Sequence, residues 1–211
     1  YLLAKGARLA YGGDLRPDGF TEKLLELVWA YDSQKREDDL ILSPDRKIDQ
    51  ASRRLANYVA WPIHLNYSHA ILAQHHLKGV FKFIKPPEDL HLSQKQQTAF
   101  ANPDTPEHRY WWFRSLTAMR EKMATEINAR VVLGGQIRDY AGGIPGLVEE
   151  VLLALRQSQP VFLVGGMGGC ARVIIDAIEG QYPRELTAEY QAESKGYAEF
   201  IDYLKQHPDA V

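Results

Sequence analysis

The sequence is short of the features that mark several protein classes. Its single cysteine, Cys170, excludes an intrachain disulfide and a multi-thiolate metal site, and fits a reducing compartment. There is no excess of basic residues. With 25 Lys and Arg against 27 Asp and Glu, the net charge of −2 argues against binding nucleic acid by phosphate neutralisation. It leaves room for a small anionic ligand recognised locally. No apolar run reaches the roughly 18 residues of a membrane span, so a cytoplasmic protein with no membrane partner is expected. Internal repeats and low-complexity tracts are absent too. The chain opens on Tyr1 and reaches a helix end at Gly6 and then a strand within a few residues. The expectation is a single domain over residues 1–211, forming the C-terminal part of a longer protein whose upstream portion is missing.

What is present is an ordinary globular balance, 45% hydrophobic and 25% charged, enough for one sizeable core. Short apolar runs alternate with stretches of helical period, the pattern of βαβ units. Strands are predicted at 7–11, 57–61, 79–84, 129–133 and 160–164. Helices are predicted at 20–31, with Leu24, Leu25, Leu27 and Val28 inward, and at 67–77, 106–126, 147–157, 170–179 and 185–206. The charges of the polar segment 32–54 read as a solvated face, and 85–105 as a long proline-bearing loop. The fold class that follows is α/β: a Rossmann-like three-layer domain with a mainly parallel sheet flanked by helices.

In such sheets ligands bind beyond the carboxyl ends of the strands, and three glycine clusters fall there. The strongest is Gly165-Gly166-Met167-Gly168-Gly169, between a strand and a helix, where backbone amides and the helix dipole can receive a phosphate. It lacks the spacing of a dinucleotide fingerprint and the Lys-Ser/Thr of a P-loop, and a tight turn needing positive φ is the bland alternative. Gly12-Gly13-Asp14 follows the first strand. Asp14 can accept from ribose hydroxyls or cap a helix. Gly134-Gly135 leads through a flexible stretch, able to fold over a ligand, to Gly142-Gly143-Ile144-Pro145-Gly146 and a helix bearing Glu149 and Glu150.

Residues 119–150 carry a resemblance. Their helix, strand, glycine pair and glutamate pair resemble the cytokinin-activating phosphoribohydrolases called LOG and the wider SLOG superfamily. In those enzymes a helix with Arg-Lys precedes a strand ending in a PGGxGTxxE loop. Arg120 falls at the arginine, Lys122 lies near the lysine without matching it, Gly134 and Gly135 match the glycine pair, and Glu150 matches the glutamate. Leu133 replaces the proline, Leu147 replaces the threonine, and an insertion lengthens the loop. The stretches RSLTAMREKM, GIPGLVEEVLLAL and VGGMGGCAR are more similar to SLOG families of prokaryotic conflict systems, the TIR-associated branch in particular.

That resemblance implies a ligand-sensing domain. It would bind an NAD-derived nucleotide of the ADP-ribose or cyclic ADP-ribose type, need no cofactor, form a homo-oligomer and regulate a fused or associated effector. Its binding residues would be Gly12, Gly13, Asp14, Arg120, Gly134, Gly135, Glu150 and residues 165–169. The alternative is a LOG-like nucleotide N-glycosidase using Arg120 and Glu150. Arg172 is a further phosphate candidate, and Trp61 a platform for adenine or a core residue. Trp111 and Trp112 read as packing residues. Adjacent His75 and His76 would point apart on a helix, the other histidines lack ligand spacing, and no metal is expected. Cys170 opens a helix, where a thiol's pKa can fall, yet it has no catalytic partner in view.

Overall fold

The computed structural model describes residues 1–42, 54–76 and 78–207. They form two compact units, Tyr1–Ile84 and Lys85–Val211. Every strand pairing among them is parallel, and the fold is α/β of Rossmann-like type.

In the first unit, β1 (Leu9–Gly12), β2 (Leu55–Ala60) and β3 (Val80–Ile84) form a sheet in that order, with Leu9 opposite Leu55 and Ala56 opposite Val80. Central β2 is almost wholly buried, as a parallel strand covered on both faces must be. Its last residue adjoins Trp61, which is also buried, so Trp61 is a core residue and no platform for a base. Helix α1 (Phe20–Leu42) lays Leu25 and Val28 against Leu15 and Leu55. Burying each such side chain contributes about 1.5–3 kcal/mol.

Leu27, expected to face inward, is 65% exposed. At 100° per residue it lies some 200° round the helix from Leu25, whereas Leu24 and Val28 share the inner face. The helix also runs well past residue 31, because no glycine or proline interrupts the chain before Pro44. The expected solvated charge of 32–54 fails at both ends. Asp32 is buried, and Arg54 Nε lies 3.4 Å from its Oδ1. Residues 43–53 of that segment lie outside the described residues.

Helix α2 (His69–His75) is capped by Ser68, whose side chain accepts from the Ile71 amide at 3.3 Å. As expected, the adjacent histidines at its end point apart: His75 is buried with Nε2 3.8 Å from Glu22, and His76, the C-cap residue, is exposed. Burial, together with Lys78, lowers the His75 pKa against the pull of Glu22 and Glu26. The folded state therefore prefers the neutral ring, and the associated stability is complete above the unfolded value and lost as pH falls. Urea midpoints are expected to drop between pH 7.5 and 5.5, and the drop should shrink in His75→Gln.

In the second unit β4 (Arg130–Leu133) pairs with β5 (Val161–Val164), Arg130 opposite Val161 and Leu133 opposite Val164. The loop 85–105 is partly ordered by α3 (Gln94–Thr98), closed by a capping box between Ser93 and Gln96. Helix α4 (Pro106–Ala124) starts on Thr105, which caps the His108 amide at 3.1 Å, with Pro106 in the first turn. Helices α5 (Gly146–Arg156) and α6 (Gly169–Ile178) pack Val151, Cys170, Ala171 and Ile174 around Val132.

The expected single helix at 185–206 is two: α7 (Ala188–Ala192), capped by Thr187, and α8 (Tyr197–Gln206). Gly196, at φ 71°, breaks them. Phe200 of α8 meets Phe113 of α4 edge to face at 5.9 Å. Trp111 is buried, and Trp112 donates from Nε1 to the Ala101 carbonyl at 2.7 Å. Both tryptophans therefore pack, as expected.

Candidate functional site

Because β4 and β5 end side by side, the glycine loops that follow them meet. The Gly135 carbonyl accepts from the Cys170 amide at 3.0 Å, and the Gly134 carbonyl from the Ala171 amide at 2.8 Å. Contact this close requires glycine. A Cβ on Gly169 would lie 2.7 Å from the Gly135 oxygen, and one on Gly135 would lie 2.3 Å from Leu147 Cδ1. Both residues also have positive φ, 62° and 92°.

This interlock changes how a phosphate would be received. The Cys170 and Ala171 amides, expected to point at a ligand, are engaged by carbonyls. The open backbone lies instead in the turn before α6. There the Gly168 amide closes on the Gly165 carbonyl at 3.0 Å, and Met167 is 68% exposed. At Gly165 packing is close, since a Cβ would lie 2.6 Å from Ile175 Cδ1, the end of a side chain that would have to turn aside. Gly134 and Gly168 are required by positive φ, 57° and 66°, and their bare faces are open. Gly166 has neither reason: a Cβ there would meet nothing within 4 Å, and its φ is not positive. A glycine with no structural need, at a strand end beside open backbone, marks a place where a ligand can approach the chain closely.

Arg120 and Glu150 sit in a buried cluster of charges. Arg120 donates from Nη1 to Glu149, which also accepts from the Thr117 hydroxyl. Arg130 Nη1 pairs with Glu150, and Arg120 Nε lies 3.8 Å from the same carboxylate. Two positive and two negative groups thus balance. Burial pushes the Glu150 carboxyl above the usual range, against the opposing pull of Arg130 and Arg120.

The nearby glycines serve this cluster. A Cβ on Gly146 would lie 2.6 Å from Arg120 Nη2, and one on Gly143 would lie 2.9 Å from the Phe113 ring. Of the two residues that a LOG-like reading would use, Arg120 takes Glu149 as its direct partner and stands 3.8 Å from Glu150. Thr117, Glu149 and Arg130 were not read as site residues. The signals were there: Thr117 and Arg120 stand three apart on one helix face, and Arg130 shares the inward side of β4 with Val132.

The Gly12-Gly13-Asp14 loop belongs to the first unit. Gly12 is the last residue of β1, opposite Tyr58. The Gly13 carbonyl accepts from Asn57 Nδ2 at 3.0 Å, and a Cβ there would overlap the Tyr11 ring at 2.3 Å and Thr21 Oγ1 at 2.7 Å. Next to it the Leu15 amide donates to the Tyr67 hydroxyl at 2.9 Å. Asn57, Thr21 and Tyr67 thus shape this loop, again unread from sequence. Asp14 accepts from Arg16 Nε at 2.9 Å and does not cap α1, which starts at Phe20, six residues on.

The structure also places Cys170, Arg172 and the stretch after Gly135. The Cys170 thiol is fully buried, and burial pushes it up to about 11, which fits a small helix-start residue. Arg172 pairs with Asp176 on its own helix, and its Nη1 lies 3.9 Å from where a Cβ on Gly165 would stand. The stretch after Gly135 is pinned, because the Ile137 carbonyl accepts from Gln191 Nε2 at 3.0 Å and the Tyr140 carbonyl from Arg109 Nη2 at 3.2 Å. Among the described residues no group of three or more His, Cys, Asp or Glu is placed to hold a metal ion, and no helix is long and apolar enough to cross a membrane.

A family model described as SLOG cluster2 matches residues 1–211. No curated protein and no solved structure matches the chain.

Proposed function

The chain belongs to the SLOG cluster2 family, and from that premise we propose that it is a sensor of an NAD-derived nucleotide, of the ADP-ribose or cyclic ADP-ribose type. The observation that carries this reading is the paired glycine loops at the ends of β4 and β5, with Gly166 bare for no structural reason. A phosphate would lie against the backbone of Gly134, Gly166 and Gly168, where a Cβ would meet nothing within 4 Å. Occupancy would regulate an attached effector, such as a TIR domain in prokaryotic anti-phage immunity, within a homo-oligomer. Binding can do this only by favouring one state over another.

The hydrolytic alternative asks Glu150 to act on a substrate. A catalytic carboxylate must reach the reacting atoms, whereas Glu150, with only 15% of its side chain exposed, is paired with Arg130, and Arg120 contacts both glutamates. That mutual neutralisation supports binding without cleavage.

The test is a thermal-shift panel of ADP-ribose, its cyclic isomers, NAD and AMP. A ligand at about 100 times its Kd adds about 2.7 kcal/mol to the folded state, which raises Tm by several degrees. Gly166→Val is expected to melt like the parent without ligand and to lose the shift. No shift with any of the nucleotides overturns the proposal. Release of base from AMP that Glu150→Gln abolishes would replace it with the glycosidase.

A further inference from the structure

The residue best placed to connect this site to the rest of the second unit is Arg138. It stands three positions after Gly135, a span of at most about 11 Å between Cα atoms. Ile137 packs against the cluster containing Val132 and Cys170, which keeps this stretch at the same end of the strands. The Arg138 side chain is directed to the C-terminal segment. Its guanidinium carbon lies 3.7 Å from the centre of the Tyr190 ring, and Nη2 donates to Glu193 Oε2 at 2.5 Å.

Two features show that the guanidinium has donors to spare. Its Nε is shut off from solvent and donates to nothing among the described residues. Its carboxylate partner is 57% exposed, and an ion pair so open to water is weak. A phosphate offers several oxygens and more charge than a carboxylate, and it suits the planar fork of arginine. The rest of the contact is made by α7. Gln191 is buried, and its Nε2 donates to both the Ile137 carbonyl, at 3.0 Å, and the Glu185 carbonyl, at 2.7 Å. Residues 185–193 therefore hold the loop after Gly135 through Gln191, and hold Arg138 through Tyr190 and Glu193.

We infer that Arg138 is a phosphate-binding residue of the glycine-turn site, kept in reserve by Glu193, and that its transfer from Glu193 to the ligand loosens α7. This rests on the sensor reading for the position of the site. It adds the residue that meets the ligand's charge and the element that responds. Glu193 competes with the ligand, so its removal favours binding; Arg138 supplies charge, so its removal opposes binding.

The experiment is calorimetric titration of the full chain with two probes, ADP-ribose and inorganic pyrophosphate, followed by amide exchange. Arg138→Gln is expected to raise Kd about tenfold for both probes, and Glu193→Gln to lower it several-fold. Should Arg138→Gln fail to fold, the Glu193→Gln gain still decides. Exchange over residues 188–193 should speed up when the parent chain binds either probe, and should already be fast in Glu193→Gln without ligand.

Affinities unchanged within twofold in both variants overturn the inference. They leave the sensor reading in place if Gly166→Val still abolishes ADP-ribose binding. Binding of pyrophosphate that depends on Arg138, with no nucleotide bound, supports the inference and removes the nucleotide reading. Failure of both probes to bind the parent chain overturns both. Exchange in 188–193 that slows or stays constant on binding overturns the loosening of α7.

Discussion

Replacing Arg120 with methionine is expected to lower the free energy of unfolding by about 3–5 kcal/mol, the usual cost of removing one member of a buried ion pair. The arginine is buried, donates to Glu149 and lies 3.8 Å from Glu150. Without it two carboxylates face Arg130 alone, and one negative charge is left largely buried without a counter-charge. Methionine keeps the aliphatic length, so the loss reports charge more than volume. Urea denaturation at neutral pH measures it. Adding Glu149→Leu should recover most of the loss, because the uncompensated charge goes too, and the two effects should be strongly non-additive. A loss below about 1 kcal/mol in Arg120→Met, within the range of exposed pairs, would mean that water reaches the cluster.

The second large effect is expected at Gly169. Alanine there must adopt φ 62° and put a methyl group 2.7 Å from the Gly135 oxygen and 2.8 Å from the Gly134 carbonyl carbon. These are backbone atoms whose carbonyls already bond α6, so the neighbour cannot give way as a flexible side chain would. Left-handed strain and overlap together give about 2–4 kcal/mol of destabilisation. The same denaturation measures it. A variant that still folds should also lose its ligand-induced thermal shift, because the two loops would have moved apart. Gly166→Ala is the control: its methyl group meets nothing within 4 Å, and its stability should stay within about 0.5 kcal/mol of the parent. Equal losses at positions 166 and 169 would refute the distinction drawn between a glycine required by packing and one required by a ligand.

Much of the fold was legible because it depends on near neighbours in sequence. The apolar runs lie within two residues of the five described strands, and the starts of α2 and α4 follow readable caps, Ser68 and Thr105. Where local reading failed, distant contacts or a small angular error decided the matter. Leu27 was placed inward by proximity to Leu25, although helical geometry turns it out. The start of α7 rests on Thr187 and its separation from α8 on Gly196, weak signals within a polar run. Asp32 and Arg54 resembled the solvated charges around them, yet they pair across 22 positions.

The site was legible in part for the same reason. That Gly134-Gly135 and Gly165–Gly169 both end strands follows from local pattern. That their backbones bond to each other follows only from β4 and β5 being adjacent and in register. A loop of several glycines does not say which glycine a ligand needs; the neighbours of each missing Cβ do. Likewise the motif that aligned Glu150 with a catalytic glutamate carried no information on Arg130, twenty residues earlier in the chain and bonded to it.

Amino-acid order alone determined the class of fold, the alternation of strand and helix, the SLOG kinship and the strand-end position of the glycines. Each of these depends on periodicity, on backbone preference or on short motifs, which neighbouring residues set. Only the tertiary structure decided that the helix-start amides of α6 are engaged, that Arg120 and Glu150 neutralise and are neutralised in a buried quartet, and that Arg138 is held by Glu193. Hydrogen bonds and charge pairs act over a few ångströms in space, and the partners that satisfy them are brought to that distance by folding from far apart along the chain.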